Sequence, residues 1–157
     1  MAGSPDPVAY RDVRPADCPA LSELCLQSKA VWGYDAAFLE ACRAELTLHP
    51  GDLTAMPTHM AEAAGGPLGV AQISVEGLEA ELEKLFIHPG AMRRGIGRRL
   101  LAWAIGAARA AGAQRLTIVA DPGAEAFYLS CGAERVGQSP SESIPGRWLP
   151  LLHLPLT

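Results

Sequence analysis

Seven consecutive residues, Arg93-Arg94-Gly95-Ile96-Gly97-Arg98-Arg99, carry the densest chemical signal in the chain. They lie between a strand-like segment and an amphipathic helical one. The two glycines have no Cβ, so backbone N–H groups can face outward. The start of a helix adds partial positive charge, and the arginines add charge-assisted donors. Such a loop suits a phosphate or pyrophosphate. It is not a Walker A loop, which needs Gly-x-x-x-x-Gly-Lys-Ser/Thr. Gly95-Ile96-Gly97-Arg98-Arg99-Leu100 also lacks the third glycine of the dinucleotide-binding fingerprint. On its residues alone the loop reads equally well as a tight strand-to-helix turn, and ATP or NAD stays open as its ligand. Just upstream, Glu81 and Glu83 alternate on one strand face. A carboxylate between apolar neighbours has its pKa raised, which suits a base working near neutral pH. The plainer reading has both facing solvent or pairing with arginine.

Composition narrows the setting of these residues. A chain of 157 residues reads as a single domain, 1–157, long enough to bury a core without staples. Hydrophobic residues make up 49% and charged residues 19%, which argues against disorder. The net charge of −4 argues against nucleic acid as a partner. The positive charge is nevertheless concentrated: four of the 11 arginines are Arg93, Arg94, Arg98 and Arg99. That is how an acidic protein builds a local anion site, although a solvated helix face gives the same pattern. No apolar run is long enough to span a bilayer. The opening MAGSPDPVAYRD has neither a basic nor an apolar leader region, so a cytoplasmic protein is expected. Cys18, Cys25, Cys42 and Cys131 form no CxxC pair and no zinc-finger spacing with a histidine, so reduced thiols and no metal are expected.

The elements that must position the loop follow from periodicity and punctuation. Tyr10–Val13 reads as an opening strand. Asp17 is placed to cap a helix that begins at Cys18-Pro19, and Asp35 a second helix running to Leu46. Lys29 reads as a solvated helix end. His59–Ala64 and Leu68–Val75 make a hairpin about Gly65-Gly66-Pro67. Ala80–Ile87 alternates, with Leu82, Lys84 and Phe86 against Glu81, Glu83, Leu85 and Ile87. Arg98–Ala111 is the strongest helix, with Leu100, Leu101, Ala104, Ile105 and Ala108 on one stripe and Gly112 as its C′ residue. Leu116–Ala120, a short helix at Ala124–Ser130, and strands at Glu134–Gln138 and Trp148–Leu154 complete the chain. The order β-α-α-β-β-β-α-β-α-β-β predicts an α/β fold, a mixed sheet (α+β in character) flanked by helices.

In this context the loop resembles that of the GNAT superfamily of acyl-CoA-dependent N-acyltransferases. The resemblance rests on Glu81-Leu82-Glu83-Lys84-Leu85-Phe86-Ile87-His88-Pro89, on Arg93-Arg94-Gly95-Ile96-Gly97-Arg98-Arg99-Leu100-Leu101, and on Ala124-Glu125-Ala126-Phe127-Tyr128-Leu129-Ser130-Cys131-Gly132-Ala133. Order and spacing match over residues 81–136. Met92 departs from the usual Gln or Arg, and Asp121 stands where Asn is frequent, with Gly123 as an alternative alignment.

The resemblance implies a fold of about six to seven strands with about four helices. It implies acetyl-CoA as co-substrate, with its pyrophosphate on Arg93, Arg94, Gly95, Ile96, Gly97 and Arg98. The pantetheine arm would pair with the backbone of Leu85, Phe86 and Ile87, and the same cofactor would lie near Asp121, Gly123 and Phe127. It implies Tyr128 as general acid and Glu83 or Glu81 as base. It also implies that two outlying segments wall the acceptor: Trp32 and Tyr34 in one, Ser143 and Arg147 in the other. Trp32 and Tyr34 read as a box for an amine or as core packing, and Arg147 as a partner for a carboxylate. No residue reads as an acyl-enzyme nucleophile. The implied activity is acetyl transfer to a primary amine of a small molecule by direct attack in a ternary complex. The alternatives are a protein N-terminal or lysine acetyltransferase, or a non-catalytic CoA-binding module. Homodimers are frequent in the family, and Leu149–Leu156 is the segment that would take part.

Overall fold

Glycines, prolines and Asx caps end most of the elements. The computed structural model describes residues 7–156. Its elements are β1 (Ala9–Asp12), α1 (Cys18–Ala30), α2 (Ala36–Leu46), β2 (Thr58–Ala63), β3 (Gly66–Glu76), β4 (Glu79–Ile87), α3 (Ile96–Ala110), β5 (Arg115–Val119), α4 (Glu125–Ser130), β6 (Glu134–Pro140) and β7 (Trp148–Pro155). This is the predicted order, with most ends moved by a residue or two. The Asp35 side chain accepts from Phe38 N and caps α2 as expected. Asp17 does not cap α1 with its side chain. Its carboxylate instead takes two hydrogen bonds from Arg11 and one from Arg14 N. The Arg11 guanidinium holds the Asp17 carboxyl down at about 2.

All seven strands join one sheet in the order β1-β2-β3-β4-β5-β7-β6. Every neighbouring pair is antiparallel except β4 and β5. That parallel pairing is brief: Glu79–Glu81 lies against Arg115–Thr117 and the ladder then stops. The rest of β4, from Leu82 to Ile87, has no partner on that side. A parallel pair that ends early leaves main-chain donors and acceptors in a cleft at the centre of the sheet, not at its rim.

β4 also carries a bulge. Gln72 faces Lys84 but Ile73 faces Leu82, so Glu83 is the extra residue. A bulge switches the face on which later side chains fall. Leu82 and Leu85 pack with Leu101 and Ala104 of α3, and Ile87 packs with Ile96 and Leu100. Phe86 packs on the opposite side, with Leu21, Leu24 and Met60. The simple alternation expected for Ala80–Ile87 therefore fails at Glu83. Leu82 and Phe86 lie on opposite faces, and Leu85 and Ile87 leave the face of Glu81.

α3 buries Ile96, Leu100, Leu101, Ala104 and Ala108 against the sheet. It ends as predicted, with Gly112 at φ +92° and Ala113 N bonded to Ala108 O at 3.0 Å. α1 and α2 cover the other face through Leu21, Leu24, Cys25, Cys42 and Leu46. β7 lies between β5 and β6, with Leu149, Leu152, Leu154 and Leu156 buried. Both of its edges are paired, and its buried leucines serve the core. Among the described residues no helix is long and apolar enough to cross a membrane. None of their His, Cys, Asp or Glu side chains cluster in threes as a metal centre.

Candidate active site

The anion cradle depends on two backbone conformations. Gly95 occupies the N-cap position of α3 at φ +80°, where an L side chain is strained. Arg93 precedes it at φ +64°. The first main-chain bond of the helix is Arg99 N to Gly95 O, at 3.1 Å. The N–H groups of Ile96, Gly97 and Arg98 therefore have no helical acceptor, the expected condition of a helix start. The arginines of the run divide by role. Arg98 donates to Ser130 Oγ at 3.0 Å, and Arg99 lies over the Tyr10 ring at 4.2 Å. Arg93 and Arg94 are exposed and, among the described residues, make no ion pair.

The open edge of β4 leads into this cradle. A Cβ placed on Gly97 would stand 3.5 Å from the Phe127 ring and 3.7 Å from Ile87. Ile87, Gly97 and Phe127 thus converge from β4, α3 and α4. Ile87 N–H is turned away from β3 and donates to Ser28 Oγ at 3.3 Å, while the next amide, His88 N, returns to β3 through Leu68 O. By strand periodicity Leu85 N–H shares the outward direction of Ile87. Ser28, at the end of α1, carried no signal in the sequence that linked it to β4.

Tyr128 is 7% exposed and sits in the core cluster with Leu82, Leu116 and Ile118. Its hydroxyl has no hydrogen-bond partner among the described residues, yet no buried side-chain oxygen is left unpaired there. The hydroxyl oxygen therefore still reaches solvent. Burial pushes the phenol well above its usual range, with smaller contributions from Cys131 and Asp121. It stays protonated at neutral pH. The four cysteines are free thiols, three of them buried, and burial pushes Cys25 up to about 12.

On the sheet face opposite α3, Glu81 and Glu83 both reach solvent. Glu83 accepts from Ser74 Oγ at 2.7 Å. The Glu81 carboxyl is raised, chiefly by desolvation and then by the charges of Glu83 and Glu142. A cavity of about 270 Å³ lies beside it, lined by Ser74, Glu76, Glu81, Thr117, Ser139 and Leu151. Glu142 belongs to the β6–β7 loop, which is therefore close enough to act on the β4 carboxylates.

Three loops meet at Asp121, which is 10% exposed. Its Oδ1 accepts from Gly123 N, and its Oδ2 accepts from the Tyr34 hydroxyl at 2.8 Å. The same Oδ2 lies 3.3 Å from Lys29 Nζ and 3.6 Å from Arg147 Nη2. Arg147 also donates to the Tyr34 hydroxyl. Tyr34 stacks on Phe38 with centroids 4.0 Å apart, and Arg147 lies over both rings. The faces of Tyr34 are thus taken by Phe38 and the chain's own cations. Trp32, 43% exposed, lies on the backbone of Gly123, where an added Cβ would stand 2.6 Å from the ring. Trp32 and Tyr34 form no open box. Ser143 donates to Glu45 of α2. Lys29, read as a solvated helix end, has a side chain only 13% exposed. Only its rarity, as one of two lysines, marked it in the sequence.

A mixed sheet opened between its two parallel strands, with a helix N-terminus at the opening, is the arrangement of an acyltransferase. The pattern of the acetyltransferase (GNAT) family matches residues 25–133. The chain belongs to that family and is an enzyme of the acetyl-transfer class. No curated protein matches the sequence. Among solved structures, it is similar to a PaiA N-acetyltransferase from Thermoplasma acidophilum in complex with coenzyme A. That pair has a TM-score of 0.76 and 16% identity, over 95% of this chain and 99% of the other. It is similar also to a GCN5-related N-acetyltransferase from Rhodopseudomonas palustris, with TM-score 0.75 and 23% identity over 99% and 98%. The ribosomal-protein-S18-alanine N-acetyltransferase of Escherichia coli gives TM-score 0.72 and 18% identity over 96% and 95%. At these identities the likeness establishes the fold.

Proposed function

We propose that the protein moves an acetyl group from acetyl-CoA to a primary amine of a small molecule, by direct attack in a ternary complex. The observation that carries this reading is the unpaired edge of β4 running into the free N–H groups of Ile96, Gly97 and Arg98. The residues present fit the cofactor. The N–H groups and the exposed Arg93 and Arg94 suit a pyrophosphate, and the outward N–H of Leu85 suits an extended amide-bearing arm. When bound, acetyl-CoA supplies the activated acyl group.

The protein's own groups then handle two protons. Glu81, with its raised pKa and its cavity, takes a proton from the acceptor ammonium and leaves a neutral, nucleophilic amine. Glu83, bonded to Ser74, keeps a second negative charge beside it and favours binding of the ammonium form. Glu81 passes that proton to solvent. As the N–C bond forms and the C–S bond breaks, Tyr128 gives its proton to the departing sulfur and the nitrogen sheds its second proton to water, leaving an amide and a free thiol. The phenol is fully protonated at the start, so the proton is in place, and the phenolate is re-protonated from water. Asp121 is held by Tyr34, Lys29, Arg147 and Gly123 N, and this reading places it in the acceptor wall, not on the pantetheine arm.

The test is release of free thiol from acetyl-CoA across a panel of small amines, wild type beside Tyr128→Phe. Amine-dependent release that falls in the variant supports the reading. Acetyl-CoA binding with no turnover of any small amine would overturn it in favour of a protein acceptor or a non-catalytic binding module.

A further inference from the structure

The cations around Asp121 outnumber their counter-charge. Lys29 and Arg147 have side chains 13% and 19% exposed, and both turn to one carboxylate. They share a single oxygen of it, which the Tyr34 hydroxyl already occupies at 2.8 Å. Both contacts are longer than a good charge-assisted bond, which runs at about 2.7–2.9 Å. Among the described residues Arg147 Nε and Nη1 and the remaining Lys29 donors have no acceptor, yet no buried side-chain nitrogen is left unpaired. The spare donors therefore open onto accessible space. A mostly covered positive charge without a full partner is costly, whereas Glu81, Glu83 and Glu142 all reach solvent. The loop that holds Arg147 also holds Glu142, whose charge acts on Glu81. One loop thus carries both a member of the surplus cation pair and a charge that acts on the proposed base.

We propose that Lys29 and Arg147, framed by Tyr34 and Asp121, form a carboxylate-binding subsite of the acceptor pocket. The acceptor is then an amine that also carries an anionic group, as an amino acid does. The carboxylate accepts a charge-assisted hydrogen bond from the free Nε of Arg147, with Lys29 adding charge and the amine turned toward Glu81. This rests on the acyl-transfer reading for the role of the amine, but the subsite itself is tested by binding alone.

The experiment titrates alanine, alaninamide and ethylamine into the CoA-saturated protein and follows the ¹H–¹⁵N signal of Arg147 Nε. An Asp-Ala dipeptide arm separates a free amino acid from a peptide with an acidic first residue. Alanine should shift the Arg147 signal and bind at least tenfold more tightly than alaninamide. That preference should collapse in Arg147→Gln and weaken in Lys29→Gln. Asp121→Asn keeps an acceptor for Tyr34 and Gly123 N but removes the competing charge, so it should bind alanine several-fold more tightly. A purely structural cluster would make Asp121→Asn weaker instead, a result that loss of folding cannot mimic in the opposite direction. Equal binding of alanine and alaninamide, or an Arg147 signal that does not move, would overturn the subsite. Thiol release measured in parallel with alanine and ethylamine reads the acyl-transfer proposal separately: binding without turnover there would sink that proposal and leave the subsite standing.

Discussion

On the proposed reading, the cleft has a cofactor wall and an acceptor wall, and the two are built from different materials. The cofactor wall consists mostly of main chain: the outward edge of β4 and the N–H groups of Ile96, Gly97 and Arg98, set by a left-handed Gly95. The acceptor wall consists of side chains from α1, α2 and three loops, tied together at Asp121 by Tyr34, Lys29 and Arg147. Main-chain recognition depends on backbone shape and tolerates many side chains, so a change such as Met92 leaves it in place. Side-chain recognition depends on each residue present. The first wall suits a co-substrate shared by a whole family, and the second suits an acceptor particular to one member.

The sharpest way to separate the walls is the residue between them. Tyr128→Phe removes only the proton donor and leaves the ring in the core. Steady-state kinetics should show kcat lowered by about 10²–10⁴, the range for loss of a general acid, with acetyl-CoA binding by calorimetry unchanged. A comparable fall in acetyl-CoA affinity would move Tyr128 from chemistry to cofactor binding.

Glu81→Gln tests the base at the foot of the acceptor wall. The wild-type carboxylate acts only when ionised, so kcat/KM should fall as pH drops through a value above the ordinary carboxylate range. The variant should lose that acid limb, with a rate loss of about 10²-fold. The linked effect on stability has the opposite sign. Folding raises this pKa and so favours the protonated form. Wild-type stability therefore declines as pH rises through that titration, and denaturant melts of Glu81→Gln should show no such decline. An unchanged acid limb in Glu81→Gln would shift the role to Glu83.

Gly123→Ala has the smallest expected effect and probes the acceptor wall from behind. Its Cβ would meet the Trp32 ring, which is half in solvent and swings outward. The KM for the amine should rise a few-fold with the acetyl-CoA KM steady. The reverse pattern would place Gly123 on the cofactor side.

The same contrast explains what could be read from the sequence. The cofactor wall is local. Its loop, glycines and helix lie within a short span, and the residues of the run itself show the strand-to-helix turn and its charge. The element order was legible for the same reason, since period and punctuation act over a few residues. The bulge at Glu83 was not, because an extra residue shows only against the register of β3. The Asp121 cluster was not legible either: Tyr34 reaches across 87 positions to Asp121 and 113 to Arg147. In the sequence its members have separate roles, with Tyr34 and Arg147 in two acceptor segments, Asp121 near the cofactor and Lys29 at a solvated helix end, and only the fold reveals two cations around one carboxylate.

The most direct test of the central claim is calorimetric binding of acetyl-CoA to the wild type and to Gly95→Glu. That change puts a side chain at φ +80° and a negative charge at the mouth of the N–H cradle. The account predicts saturable wild-type binding and its loss in a variant whose far-ultraviolet spectrum is unaltered. Wild-type affinity retained in the folded variant would contradict it, because the pyrophosphate would then sit elsewhere.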